Sequence, residues 1–156
     1  MPTNKVKKII DIFRKHKSPT HSWDYAFYNN NALQLIETPH KLILNPSTDI
    51  LFSLYIDETF CNILGTMHGG AIATLIDTTT TLSISGLDRT HRHNVSVELS
   101  TYYQNPVKKH STIFILNRIN KIGKTLAYST GDIYNEHNKL LSNSVHVKAM
   151  LEKTWL

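Results

Sequence analysis

The spacing of hydrophobic residues changes twice along the chain, and each change marks a different kind of element. Over residues 4–17, Val6, Ile9, Ile10 and Phe13 recur at helical intervals among lysines and Arg14, which predicts an amphipathic helix. Residues 18–31 lose this period. Pro19, clustered aromatic residues and Asn29-Asn30-Asn31 predict an irregular connection with anchoring side chains. The period then becomes two, with short strands expected over Leu33–Thr38, Lys41–Asn45 and Ile50–Asp57, separated by turn signals at Pro39 and Asn45-Pro46-Ser47.

A mostly apolar run from Ala71 to Leu87 follows the glycine pair Gly69-Gly70. Its length favours a buried helix ended by Gly86. The run Thr78-Thr79-Thr80-Thr81 keeps a buried strand open as an alternative, because β-branched side chains lose rotamer freedom in a helix. Alternation returns over Asn94–Gln104, Ser111–Asn120, Lys124–Asn135 and Lys139–Leu151, the last two joined by the polar turn Asn135-Glu136-His137-Asn138. One long helix followed by four long strands is an α+β pattern, with the helix covering one face of a mostly antiparallel sheet.

Composition narrows this picture. A chain of 156 residues with 40% hydrophobic and 9% aromatic residues suits one folded domain with a real core. Of the formal charge of +5, Lys5, Lys7, Lys8, Arg14, Lys15 and Lys17, set against Asp11 and Asp24, place +4 in residues 1–30. The nearly neutral remainder argues against a nucleic-acid partner. No apolar run reaches membrane-spanning length, so integral membrane association is not expected. The single cysteine, Cys61, excludes an internal disulfide framework and fits a reducing compartment. Its expected role is that of a small apolar residue rather than a nucleophile. For the basic N-terminal helix, docking on the body is preferred to a mitochondrial targeting role, and a cytoplasmic location to a mitochondrial one.

The candidate chemistry gathers around Asn62–Asp77. Gly69 and Gly70 let the backbone approach a ligand, and the first amides of a helix starting there favour developing negative charge. Asp77 lies about two turns further on, in surroundings too apolar for an idle carboxylate. The competing role for Asp77 is to cap a helix running through the threonines, and for His68 a structural role satisfied by a backbone carbonyl. Lys121-Ile-Gly-Lys-Thr125 is no phosphate loop, since Arg118 stands where a glycine is needed and a strand follows. His91 and His93 lack a third ligand at metal spacing.

Asn62, the block Gly65-Thr66-Met67-His68-Gly69-Gly70, Asp77, Val95-Ser96-Val97, Tyr102 with Pro106, and Gly123-Lys124-Thr125-Leu126-Ala127 together resemble the hotdog-fold thioesterases, in particular the PaaI-like, acyl-CoA thioesterase 13 (thioesterase superfamily member 2) branch. The resemblance spans roughly residues 40–150 and implies a curved antiparallel sheet wrapped around a long central helix, here with an extra N-terminal amphipathic helix. Residues 1–31 would then form the N-terminal helix and connection, and residues 32–152 the hotdog domain. It further implies hydrolysis of medium- or long-chain fatty acyl-CoA without a metal or redox cofactor. The assembly would be a homodimer or dimer-of-dimers tetramer with sites shared between subunits.

By the same resemblance, Gly69 supplies an oxyanion donor, Asp77 of the other subunit activates water or attacks directly, Ser96 orients it, and Asn62 and His68 polarise and position the thioester. Coenzyme A is expected to meet Gly70, Arg92, Lys121, Gly123, Lys124 and Lys148. The longer N-terminal segment, the threonine run and the loop Asp88–His93 depart from the family pattern. A non-catalytic acyl-CoA binding module and a hotdog enoyl-CoA hydratase or dehydratase are the rival readings.

Overall fold

The computed structural model describes residues 2–15, 23–28, 32–37, 42 and 44–154. In chain order these form α1 (Pro2–Lys15), α2 (Trp23–Tyr28), β1 (Leu33–Leu35), β2 (Asp49–Tyr55), a 3₁₀ turn (Glu58–Phe60), α3 (Gly69–Leu87), β3 (Arg92–Tyr103), β4 (Thr112–Ile122), β5 (Leu126–Asn135) and β6 (Leu140–Thr154). The Pro39 turn and most of the Ser18–Asn31 connection lie outside the described residues. Of the strand expected over Lys41–Asn45, residues 42, 44 and 45 form none, and Lys41 and Ile43 lie outside the described residues. Asn45 instead builds a turn, its amide donating to Asp49 Oδ2 and its side chain accepting from the Ser47 amide.

All strand pairs are antiparallel, in the order β1-β2-β4-β5-β6-β3, and the sheet curves around α3. This is the α+β arrangement expected from the sequence. β3 forms one edge and is bulged between Ser96 and Glu98, so that Ser96 stands opposite Lys148 while Val97 is left unpaired.

The main core lies between α3, the sheet and the N-terminal helices. Leu75, Ile76, Phe52, Leu54, Ile113, Ile115 and Ile133 pack there with Val6, Ile9 and Ile10 of α1 and Phe27 of α2. Phe27 stacks on Phe60 with ring centres 5.2 Å apart. The segment expected to be an irregular connection thus contains a short helix anchored by its aromatic residues.

The threonine run is helical. Its hydroxyls donate back along the helix, Thr79 to Leu75 O (2.9 Å), Thr80 to Ile76 O (2.7 Å) and Thr81 to Asp77 O (2.7 Å). The polar atoms are satisfied locally, so burial outweighs weak propensity. Gly86 does not end α3, which continues through Leu87 to a C-cap at Asp88. A Cβ at Gly86 would fall 2.3 Å from Val6 Cγ2, so this glycine is where α1 crosses α3. None of the described helices is long and apolar enough to cross a membrane.

Candidate active site

α3 begins at His68, whose backbone is extended (φ −64°, ψ 136°) and whose Nδ1 accepts the Gly70 amide at 3.0 Å. His68 is therefore the N-cap, rather than a histidine satisfied by a carbonyl. With Nδ1 accepting, the ring proton sits on Nε2 in the neutral imidazole. The Trp23 ring lies 6.0 Å from the His68 ring, centre to centre, and a Cβ on Gly70 would meet Trp23 at 2.9 Å. Gly70 thus lies under the α2 tryptophan. Among the described residues, no hydrogen bond takes the Gly69 amide. Tyr103 covers Gly69 from β3, donating its hydroxyl to Gly69 O at 3.1 Å. Beside them is a cleft of about 300 Å³ lined by Met67, Gly69, Ile72, Tyr103, Pro106 and Val107 among others.

Asn62 shapes the loop that leads to this helix start. Its Oδ1 accepts the Leu64 amide at 3.0 Å and its Nδ2 donates to Thr66 Oγ1 at 3.1 Å, leaving the second amide proton of the side chain for another partner. Cys61 Sγ donates to Asp57 O, and burial pushes its thiol above the ordinary range, which suits a packing residue and not a nucleophile.

Asp77 is not a cap, because α3 begins eight residues earlier. Its carboxylate sits at the centre of a cluster drawn from α3, β3 and β6. Oδ1 accepts from Ser96 Oγ at 2.7 Å and from Lys148 Nζ at 2.7 Å, and lies 3.6 Å from His146 Nε2. Oδ2 has no hydrogen-bond partner among the described residues, and the side chain is 45% exposed. Burial would raise the carboxyl, but the Lys148 hydrogen bond and charge, together with the Ser96 hydroxyl, hold it below the usual carboxylate value.

Lys148 is 2% exposed, and its three donors meet Asp77 Oδ1, Thr81 Oγ1 and Ser96 Oγ. Burial pulls its ammonium below the ordinary value while Asp77 pushes back. His146 is fully buried, with Nδ1 2.7 Å from Thr80 Oγ1 and Nε2 3.1 Å from Ser96 Oγ. Burial, and then the Lys148 charge, lower it to about 4 against the opposing pull of Asp77.

The structure therefore brings Asp77 and Ser96 together and adds Lys148, His146, Thr80 and Thr81 to them. Lys148 faces the carboxylate instead of an exposed phosphate site. Ser144, His146 and Lys148 alternate with Val145, Val147 and Ala149 on β6, and the polar set points inward. A histidine and a lysine in one phase of an alternating strand were the available signal.

Arg92 is committed elsewhere. Its Nε and Nη2 donate to Asp88, its Nη1 to Lys124 O and its Nη2 also to Gly123 O, which ties the end of α3 to the β4–β5 turn. Gly123 closes that turn by donating to Leu126 O, and Lys121 and Lys124 beside it are exposed. Among the described residues there is no group of three His, Cys, Asp or Glu placed to hold a metal ion.

The sequence model of the Thioesterase superfamily matches residues 64–142, the stretch that carries the helix start, Asp77 and Ser96. Mouse acyl-coenzyme A thioesterase 13 is 35% identical over 100 residues, covering 64% of this chain and 71% of that protein. The crystal structure of zebrafish thioesterase superfamily member 2 superposes with a TM-score of 0.76 at 28% identity, covering 95% of this chain and 97% of that one. The PaaI protein from the E. coli phenylacetic acid degradation operon shares the fold, with a TM-score of 0.75 at 12% identity over 99% of both chains. A free helix-start amide and a pinned carboxylate on one central helix thus occur in a chain that belongs to the thioesterase superfamily, as a hotdog-fold thioester hydrolase.

Proposed function

We propose that the protein hydrolyses medium- or long-chain fatty acyl-CoA to free fatty acid and coenzyme A, as a homodimer or dimer of dimers whose sites each draw on two subunits. The observation that carries this reading is the Asp77 carboxylate, with Oδ1 held by Ser96 and Lys148 and Oδ2 left open. Such a group can accept a proton from water without first rearranging. The CoA thioester is the substrate suggested by the name of the mouse relative.

Gly69 and Asp77 lie eight residues apart on α3, or about 12 Å along its axis at 1.5 Å per residue. That is too far for both to meet one carbonyl group. The Gly69 amide of one subunit and Asp77 of the other are therefore assigned to the same thioester. The exposed edge strand β3, with Val95 and Val97 unburied, supports pairing with a second copy.

In this mechanism Asp77 Oδ2 takes a proton from water as the oxygen bonds to the thioester carbonyl carbon. The carbonyl π electrons move to the oxygen, and the oxyanion is met by the Gly69 amide, the remaining Asn62 side-chain proton and the His68 Nε2–H. Collapse restores the C=O bond and breaks the C–S bond, and the coenzyme A thiolate recovers the proton from Asp77. The apolar walls Met67, Ile72 and Val107 suit the acyl chain, and exposed Lys121 and Lys124 suit the phosphates.

A panel of acyl-CoAs of graded length, assayed for free thiol, tests this. Release is expected with medium or long chains, and Asp77→Asn should lower kcat by about a hundredfold or more with unchanged circular dichroism. His68→Ala should cost less than Asp77→Asn. No thiol release at any chain length would leave acyl-CoA binding or hydration in its place.

A further inference from the structure

We propose that Lys148 is a positioning residue for hydrolysis: its buried ammonium pins Oδ1 of Asp77, with Ser96 and Thr81, so that Oδ2 is the oxygen turned toward the attacking water. The inference rests on the hydrolysis reading above, and it gives Lys148 a task other than holding coenzyme A.

Three observations converge on it. The first is burial. An ammonium at 2% exposure is costly unless paired, and Asp77 is the carboxylate paired with it. The second is saturation, since all three donors are used, on Asp77, Thr81 and Ser96. No donor is left for a phosphate.

The third is topology. Lys148 stands directly opposite Ser96 across the β3–β6 ladder, while Asp77 and Thr81 are one turn apart on α3. A single ammonium therefore ties the edge strand, its neighbour and the helix to one carboxylate oxygen. The threonine run gains a purpose here, with Thr81 accepting from Lys148 and Thr80 hydrogen-bonded to His146 Nδ1.

The remaining neighbours of the carboxylate leave Lys148 as its counter-charge. The groups facing Asp77 are Ser96 from β3, His146 and Lys148 from β6 and Thr81 from α3 itself. The Ser96 hydroxyl proton goes to Asp77 Oδ1, so Ser96 accepts from His146 Nε2–H, and the Thr80 hydroxyl, 2.7 Å from both Ile76 O and His146 Nδ1, is shared between those two acceptors. His146 is then neutral, with its one ring proton donated to the serine oxygen. The cluster holds one negative and one positive group.

The test uses the full-length protein with Lys148→Met, Lys148→Gln and Lys148→Arg. kcat and KM are measured against pH with the best acyl-CoA of the panel, and the Asp77 carboxyl carbon is titrated by NMR. Lys148→Met should lower kcat about tenfold or more with KM changed less than about twofold. The acid limb of kcat and the Asp77 titration should both move up by about one unit or more, because the carboxylate loses its counter-charge.

Lys148→Gln, which keeps donors without charge, should show the same upward movement with a smaller loss of kcat, and it stands in if Lys148→Met does not fold. Lys148→Arg should return the acid limb toward wild type. A rise in KM with kcat and the acid limb unmoved would assign Lys148 to phosphate and overturn the proposal. A loss of kcat with both titrations unmoved would reduce it to a brace and overturn it equally. If wild type releases no thiol, the hydrolysis reading falls alone. The Asp77 titration still decides the pairing, and an unmoved value in Lys148→Met and Lys148→Gln would refute it.

Discussion

His146 sits one residue-width from the carboxylate, yet it titrates in the opposite sense to a histidine that has gained a salt bridge. Its value of about 4 lies below the ordinary 6.5, because burial and the adjacent Lys148 both oppose its charge. The folded state therefore binds fewer protons than the unfolded chain between these two values. Stability is full above about pH 6.5, falls as pH drops toward 4 and gains no further loss from this group below that, for a total on the order of 3 kcal/mol. Asp77 behaves differently: its folded value is lowered, so its contribution is lost only as pH falls below the ordinary carboxylate value. The midpoint of thermal unfolding should drop by roughly 10 °C between pH 7 and 4, at a few degrees per kcal/mol for a chain of this size. His146→Gln should flatten that drop. An equal slope in the variant would remove His146 as its source.

At the level of elements, Gly86 sets how closely α1 approaches α3. An alanine there would place its Cβ 2.3 Å from Val6 Cγ2 and within 3.4 Å of Val6 backbone atoms. Gly86→Ala gains helix propensity of about 1 kcal/mol but overpacks a filled contact at about 1–3 kcal/mol. Net destabilisation is expected as a lower urea midpoint, partly restored by adding Val6→Ala. A midpoint at or above wild type would mean that α1 does not hold this crossing.

The strands were legible from alternation because the period of two survives burial. β3 to β6 lie within about three residues of their expected bounds. Which face of β6 turns inward was not legible. Hydropathy alone would bury Val145 and Val147, whereas the structure exposes Val145 at 47% and buries Ser144, His146 and Lys148. The inward face contains the pairing network of Asp77, so function reverses the usual polarity of the strand. The helix identity of the threonine run was readable from the length of the apolar stretch, against weak propensity, whereas the hydroxyl bonding back to the preceding turn that satisfies it was not. The glycine block, Asp77 and Ser96 were readable from motif resemblance, but the lysine, the histidine and the two threonines that hold Asp77 come together only through the β3–β6 register.

For the whole molecule, the proposed sharing of sites can be tested by mixing two inactive variants. Asp77→Asn removes the base. Gly69→Pro removes the amide at the first position of α3, where proline is tolerated, and the extended His68 before it is compatible with a following proline. Refolded together, half the dimers would be mixed, each with one intact site and one lacking both groups. Roughly a quarter of wild-type activity should return in a two-fold dimer. If the mixture stays as inactive as its components, each site lies within one chain.

The bulged edge strand β3 also bears on how the protein should be handled. Its unpaired backbone and the exposed Val95 and Val97 offer the same surface to a proper second copy and to an improper one. When association covers that edge, mass action links folding to protomer concentration, so that dilution lowers apparent stability while partial unfolding at high concentration favours edge-to-edge aggregation.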